Sequence, residues 1–252
     1  MSNRKSLPTA VARQLRQESG FGCAVCGNPI IEYHHIIEWQ ERQHFDPEHM
    51  IALCPTHHTE YGKLPKAKCY SAKQNPINIR NKRIKGYLGG NKSQKAVRIG
   101  AMTVANCKSL IDFSGISLFS YNFIGEEYAL NVFLPDQNFW PEIEIRENQL
   151  IAETGKFWDI EFKTNWVKFK RFQKGTFLEV DFRGDEIEID GAFSVGGVDF
   201  ELKEKKSQVG GIILSSIHFE NFGTGFSFGP PGRILRPNYA MTSPNPVHIP
   251  HF

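Results

Sequence analysis

The run Cys23-Ala24-Val25-Cys26, followed by His34-His35-Ile36-Ile37 and by His49-Met50-Ile51-Ala52-Leu53-Cys54-Pro55-Thr56-His57-His58, decides how the first part of this chain is read. Between Cys23 and His58 lie six of the nine histidines and three of the five cysteines. That exceeds the needs of one metal site and points to two, one holding the fold and one doing chemistry. A closed zinc site takes four soft or borderline ligands in a tetrahedron, commonly as two close pairs. Cys23 and Cys26 make one pair on a knuckle, where Gly22 and Gly27 permit a tight turn. Cys54 makes the second with a histidine. His57 and His58, three and four residues on, are both its helical neighbours, so spacing admits either. Adjacent helical residues point about 100° apart, so these two histidines should serve different centres. His34 and His35 sit in an apolar run, Ile30–Ile37, that reads as a strand. Alternation sends them to opposite faces unless a bend brings both to one pocket.

Residues 7–62 or so resemble an HNH endonuclease domain, the strand–strand–helix nuclease also called the ββα-metal fold. The family order is Cys-x-x-Cys, then Asp-His or His-His, then Asn, then Leu-Cys-x-x-Cys-His. Cys23 and Cys26, His34-His35, and Leu53-Cys54 with His57-His58 carry the likeness. It implies a structural zinc on Cys23, Cys26, Cys54 and His57, the last standing where the family usually has a fourth cysteine. It also implies His34 and His58 as ligands of a catalytic divalent metal and His35 as general base. His49, where the family has Asn, would brace the loop that carries the base. Such an enzyme hydrolyses the phosphodiester bonds of double-stranded DNA. An imidazole titrates near neutrality and can take a proton from water. A metal with open positions can contact a phosphate oxygen and the leaving group. A shell made mostly of water and phosphate suits magnesium, with manganese next to it. Two imidazole ligands also suit nickel, cobalt or zinc.

The charge distribution agrees. The net charge is only +3, but residues 1–111 carry +10 and the remainder −7. From Tyr61 to Ile111 there are twelve Lys or Arg and no Asp or Glu. Lys63, Lys66, Lys68, Lys73, Arg80, Lys82, Arg83 and Lys85 form its dense part and are the expected phosphate contacts. The alternative is a merely solvated linker, which usually mixes both signs.

The expected fold class is α+β. A small N-terminal module of residues 1–62 carries the zinc knuckle, a basic connector follows over 63–100, an all-β domain over 101–228, and a proline-rich tail over 229–252. Leu7, Val11 and Leu15 repeat at helical spacing, with Ser6 as cap, Pro8 in the first turn and Gly20 as stop. This helix should pack on the knuckle with Arg13 and Arg16 outward. A second strand is expected near Met50–Leu53, and a helix carrying His57 and His58 should end at Gly62. The second half shows short alternating runs such as Glu142-Ile143-Glu144-Ile145, with glycine turns between them. A sandwich or barrel is expected, with a solenoid as the alternative. Trp140, Trp158, Trp166 and Phe169 fall at strand-period positions and read as core. The other use for them is a stacking surface for a flipped base.

The expectation is therefore a metal-dependent DNA endonuclease of a restriction or antiviral defence system. The alternatives are a nicking or structure-specific nuclease of a mobile element, and a zinc-dependent DNA-binding regulator that does not cut. A homodimer would follow if both strands are cut at a fixed offset. No apolar run approaches a membrane span. Polar Met1–Lys5, with no hydrophobic stretch behind it, gives no expectation of a signal peptide. Three cysteines in a zinc pattern argue for a reducing, cytoplasmic location.

Overall fold

A computed structural model describes residues 6–89, 96–107, 109–220 and 223–228. The proline-rich tail, Lys92, Lys95 and Lys108 lie outside the described residues. The fold is mixed α and β, mostly sheet with few helices. The chain divides into two compact units, Met1–Gly86 with Glu153–Lys163, and Tyr87–Ala152 with Thr164–Phe252.

The first unit holds α1 (Thr9–Glu18), β1 (Glu32–His35), β2 (Met50–Leu53), α2 (Pro55–Tyr61), α3 (Lys66–Gln74) and α4 (Ile77–Asn81). β1 and β2 pair antiparallel, with His34 opposite Ile51 and His35 opposite Met50. All four β2 residues are buried, which their apolar sequence requires. Pro55 enters α2 in its first turn, where its missing N–H costs nothing, and Gly62 caps its end. The stretch expected as a connector contains α3 and α4, and both belong to this first unit. Asn78 of α4 donates from Nδ2 to the carbonyls of Gly20 and Gly27, at 3.2 and 3.1 Å. Gly27 has φ +79°, and a Cβ there would lie 2.4 Å from Asn78 Oδ1. The knuckle therefore needs glycine both for its turn and for the close seat of α4.

Helix α1 departs from expectation in two ways. Pro8, not Ser6, occupies the N-cap, and no side chain caps the helix. Arg16 does not face outward. It is buried at 9% exposure, between Tyr33 of β1 and the returning segment Glu153–Lys163 of the same unit. Its Nε and Nη2 donate to the two oxygens of Asp159 at 2.9 and 2.6 Å, and Nη1 donates to the Tyr33 hydroxyl at 2.9 Å. Burial alone would lower the arginine's pKa. The hydrogen bond to Asp159 and the charges of Tyr33 and Asp159 hold it above its ordinary value instead. The helical period marks which positions turn inward, but a charged residue there reads as exposed when its partner lies 143 residues away.

This pair fixes a first prediction. Removing one partner of a buried ion pair strands the other charge and costs about 3–5 kcal/mol. Asp159→Ala should therefore lower the unfolding free energy of the full chain by that amount in urea. A loss within ~1 kcal/mol, the range of an exposed pair, would show that the bridge does not tie Glu153–Lys163 to α1. A fragment ending near Gly100 lacks Asp159, so it should be less stable than the first unit in the intact chain.

The second unit is all sheet among its described residues. One sheet runs Thr224–Phe228, Ser109–Phe113, Ile116–Ile124, Glu127–Pro135, Pro141–Arg146, Gln149–Glu153. Only its first pair is parallel. The other sheet runs antiparallel from Trp166–Lys170 through Leu178–Asp181, Glu186–Val195, Val198–Leu202 and Ser207–Val209 to Ile212–Leu214. Ala96–Ile99 joins Glu186–Val195 in parallel. Phe119 of the first sheet meets Phe193 of the second at 5.9 Å, and Phe193 stacks on Phe200 at 5.0 Å. Neither sheet closes on itself among the described residues, so the barrel is not the arrangement adopted. Phe169 and Trp166 are core as expected, whereas Trp140 is 70% exposed.

Candidate metal centre and adjoining histidines

The knuckle brings Cys23 and Cys26 to the start of α2, where Cys54 is the N-cap and His57 lies one turn in. The ligand atoms of Cys23, Cys26, Cys54 and His57 all fall within 4.8 Å of one another. Two Zn–S bonds of ~2.3 Å at the tetrahedral angle separate their sulfurs by about 3.8 Å, and S and N ligands by about 3.6 Å. The Cys26 and Cys54 sulfurs are 3.8 Å apart. His57 Nδ1 lies 3.6 Å from the Cys23 sulfur and 3.2 Å from that of Cys54. Three thiols and one imidazole at these edges fit a tetrahedral metal ion and are compatible with structural zinc. Cys23 and Cys54 are themselves part of a small core with Ala24, Ile36, Ile51 and Leu53.

His58 points elsewhere. Its ring meets His34 edge to face at 5.0 Å, and its Nδ1 lies 3.6 Å from a Glu32 oxygen. His34 and Glu32 are two apart on β1, so they share a face. Burial lowers the His34 pKa, and the charges of His58 and His35 lower it further, which favours the neutral imidazole. Among the described residues, the four-ligand cluster above is the only group of three or more His, Cys, Asp or Glu gathered tightly enough for a metal. His34 and His58 form a pair beside a carboxylate.

His35 takes the other side of β1, as alternation demands. Its Nε2 is 3.1 Å from the carbonyl oxygen of His44, and its ring packs edge to face with Trp39 and His44. A carbonyl only accepts, so Nε2 carries the proton in this contact and the neutral ring keeps its lone pair on Nδ1. His44 is buried and holds the loop: its Nε2 donates to Ile37 O at 2.9 Å, and its Nδ1 accepts from Asp46 N at 3.1 Å. The His49 ring reaches α3, while its backbone holds the residue directly after His35. Its Nδ1 lies 2.8 Å from the Tyr70 hydroxyl of α3, and its backbone carbonyl accepts from Ile36 N at 2.8 Å. His44 and Tyr70 carry no sequence signal of these roles. A signal for Glu32 was at hand, since it stands two residues before His34 on the same strand face.

The basic residues separate into two groups. Lys66 pairs with Glu41 at 2.6 Å and Lys73 pairs with Glu18. Lys63, Lys68, Arg80, Lys82, Arg83 and Lys85 are exposed. Arg83 and Lys85 project from one face of the strand Arg83–Tyr87, with Ile84 buried between them.

No family model, no curated protein and no solved structure matches the chain. Among the described residues no helix is long and apolar enough to cross a membrane.

Proposed function

We propose that the chain is an HNH-type, metal-dependent DNA endonuclease whose first unit cuts. The observation that supports this most is the parting of adjacent histidines on α2: His57 joins three cysteines while His58 faces His34 and Glu32. A zinc-stabilised binding module needs only the first group. In this reading the Cys23, Cys26, Cys54 and His57 site is a structural zinc. His34 and His58 would hold a divalent ion, magnesium or manganese first, which supplies Lewis-acid stabilisation of the phosphate and leaving oxygen. His35 takes a proton from the attacking water at Nδ1, and the His44 carbonyl fixes its tautomer. Glu32 orients His58, as carboxylates commonly do for ligating imidazoles. Double-stranded DNA is the substrate and the reducing cytoplasm the setting. Restriction or defence is the system in which a small cutting unit joined to a separate sheet unit makes sense.

Plasmid cleavage tests this. The protein should cut supercoiled plasmid with added magnesium or manganese, stop in a chelator, and resume on adding back either ion alone. His58→Ala should keep one equivalent of zinc and cut nothing. Intact plasmid under every metal tried would leave the non-cutting regulator as the reading. Comparing methylated, relaxed and supercoiled plasmid separates a restriction enzyme from a nicking or structure-specific nuclease.

A further inference from the structure

We propose that the cleft between the knuckle, α3 and α4 binds a DNA backbone phosphate through Lys68 and Arg80. This rests on reading the first unit as one that acts on DNA. The cleft has a volume of about 400 Å³ and is lined by Lys68, Ser71, Asn75 and Arg80 around a floor that includes Ala24 and Tyr61. The Tyr61 ring lies 6.0 Å from the His57 ring, which places the cleft next to the four-ligand cluster.

Charge singles out this pair from the basic run. Lys66 and Lys73 flank Lys68 on α3, and both are neutralised by carboxylates from outside the run. Lys68 is two residues from Lys66, about 200° around the helix, so it faces away from Glu41. Lys68 and Arg80 are exposed and, among the described residues, make no ion pair. No carboxylate lines the cleft. Two like charges share one concavity, which focuses a positive potential there.

The polar lining suits phosphate oxygens. Arg80 offers a planar fork and Lys68 a point charge. The Ser71 hydroxyl and the Asn75 amide add neutral donors. Such contacts position a backbone and carry no sequence information. A single exposed contact contributes little by itself, so a free phosphate would bind weakly. A duplex presents repeated charges and releases counterions when each is neutralised, and it is the ligand that fits an open cleft.

The test uses the full chain and a short mixed-sequence duplex, followed by fluorescence anisotropy without magnesium or manganese. Each lost phosphate contact removes about 0.9 from the slope of log affinity against log salt. Lys68→Ala with Arg80→Ala should flatten the slope by ~1.8 on that basis, with zinc content and melting unchanged. Lys66→Ala with Lys73→Ala should leave the slope in place. Equal slopes in the two double variants would overturn the proposal. Displacement of the duplex by inorganic phosphate beyond chloride of matched ionic strength would also overturn it, making this a small-anion site. A wild-type chain that binds no duplex at any salt would instead remove the DNA reading itself, which separates the two failures.

Discussion

Cys54→Ser should unfold the first unit and release its zinc. Apparent zinc affinities in small Cys/His sites correspond to about 10–16 kcal/mol, and this binding energy is folding energy because the site does not pre-exist in the unfolded chain. Whole domains are stable by only about 5–15 kcal/mol, so loss of one ligand is enough. The local core gives little reserve. It is built from Cys23, Ala24, Ile36, Ile51, Leu53, Cys54 and Cys69, and two of these are the proposed ligands themselves. Cys54 also begins α2, the helix that carries both His57 and His58, so its loss frees the second histidine site as well. Zinc stoichiometry, circular dichroism and limited proteolysis of the purified variant read the outcome. A Cys54→Ser protein that keeps one zinc and its melting temperature would show that the cluster is not structural. If His58→Ala loses the zinc and His57→Ala keeps it, the division of the two histidines is reversed.

What could be read in advance follows from how far each signal reaches along the chain. Cys23, Cys26 and Cys54 announce themselves through spacing, and β2 through a continuous apolar run. Residue alternation marked Glu142-Ile143-Glu144-Ile145, which lies within the strand Pro141–Arg146, since period two survives wherever one sheet face is buried. Long-range pairing leaves no such trace. Arg16 reads as a surface charge because Asp159 is far along the chain. The run from Lys63 to Lys85 reads as wholly unpaired because Glu18 and Glu41 lie before it. Asn78 holds α4 to the knuckle through two backbone carbonyls, a contact that no side-chain pattern encodes. His44 escaped for the same reason, since it works through the carbonyl of Ile37 and the amide of Asp46. The short strand Ser207–Val209 lacks enough residues to establish a period.

His35→Ala should lower DNA cleavage by about 100- to 10,000-fold, the usual worth of a positioned general base, while leaving zinc content and melting in place. The ring lies on the face of β1 opposite His34, at the His44 loop, and contributes no ligand atom to the four-residue cluster. Removing it therefore takes away a proton acceptor and ring contacts with Trp39 and His44, not a metal ligand. Phosphate contacts are expected from the lysines and arginines, so duplex affinity should hold within experimental error. His44 allows a finer test, because its own carbonyl fixes the His35 tautomer while its ring fixes the loop. His44→Ala keeps the carbonyl but releases Ile37 and Asp46, and cleavage should fall by less than in His35→Ala. His49→Ala removes the hydrogen bond to Tyr70 and should act through loop position, with the pH dependence of the remaining activity unchanged. Single-turnover cleavage at saturating protein separates these cases, since it reports chemistry without product release. Full activity in His35→Ala would end its assignment as the base. A loss matched by an equal loss of duplex affinity would make it a binding residue instead.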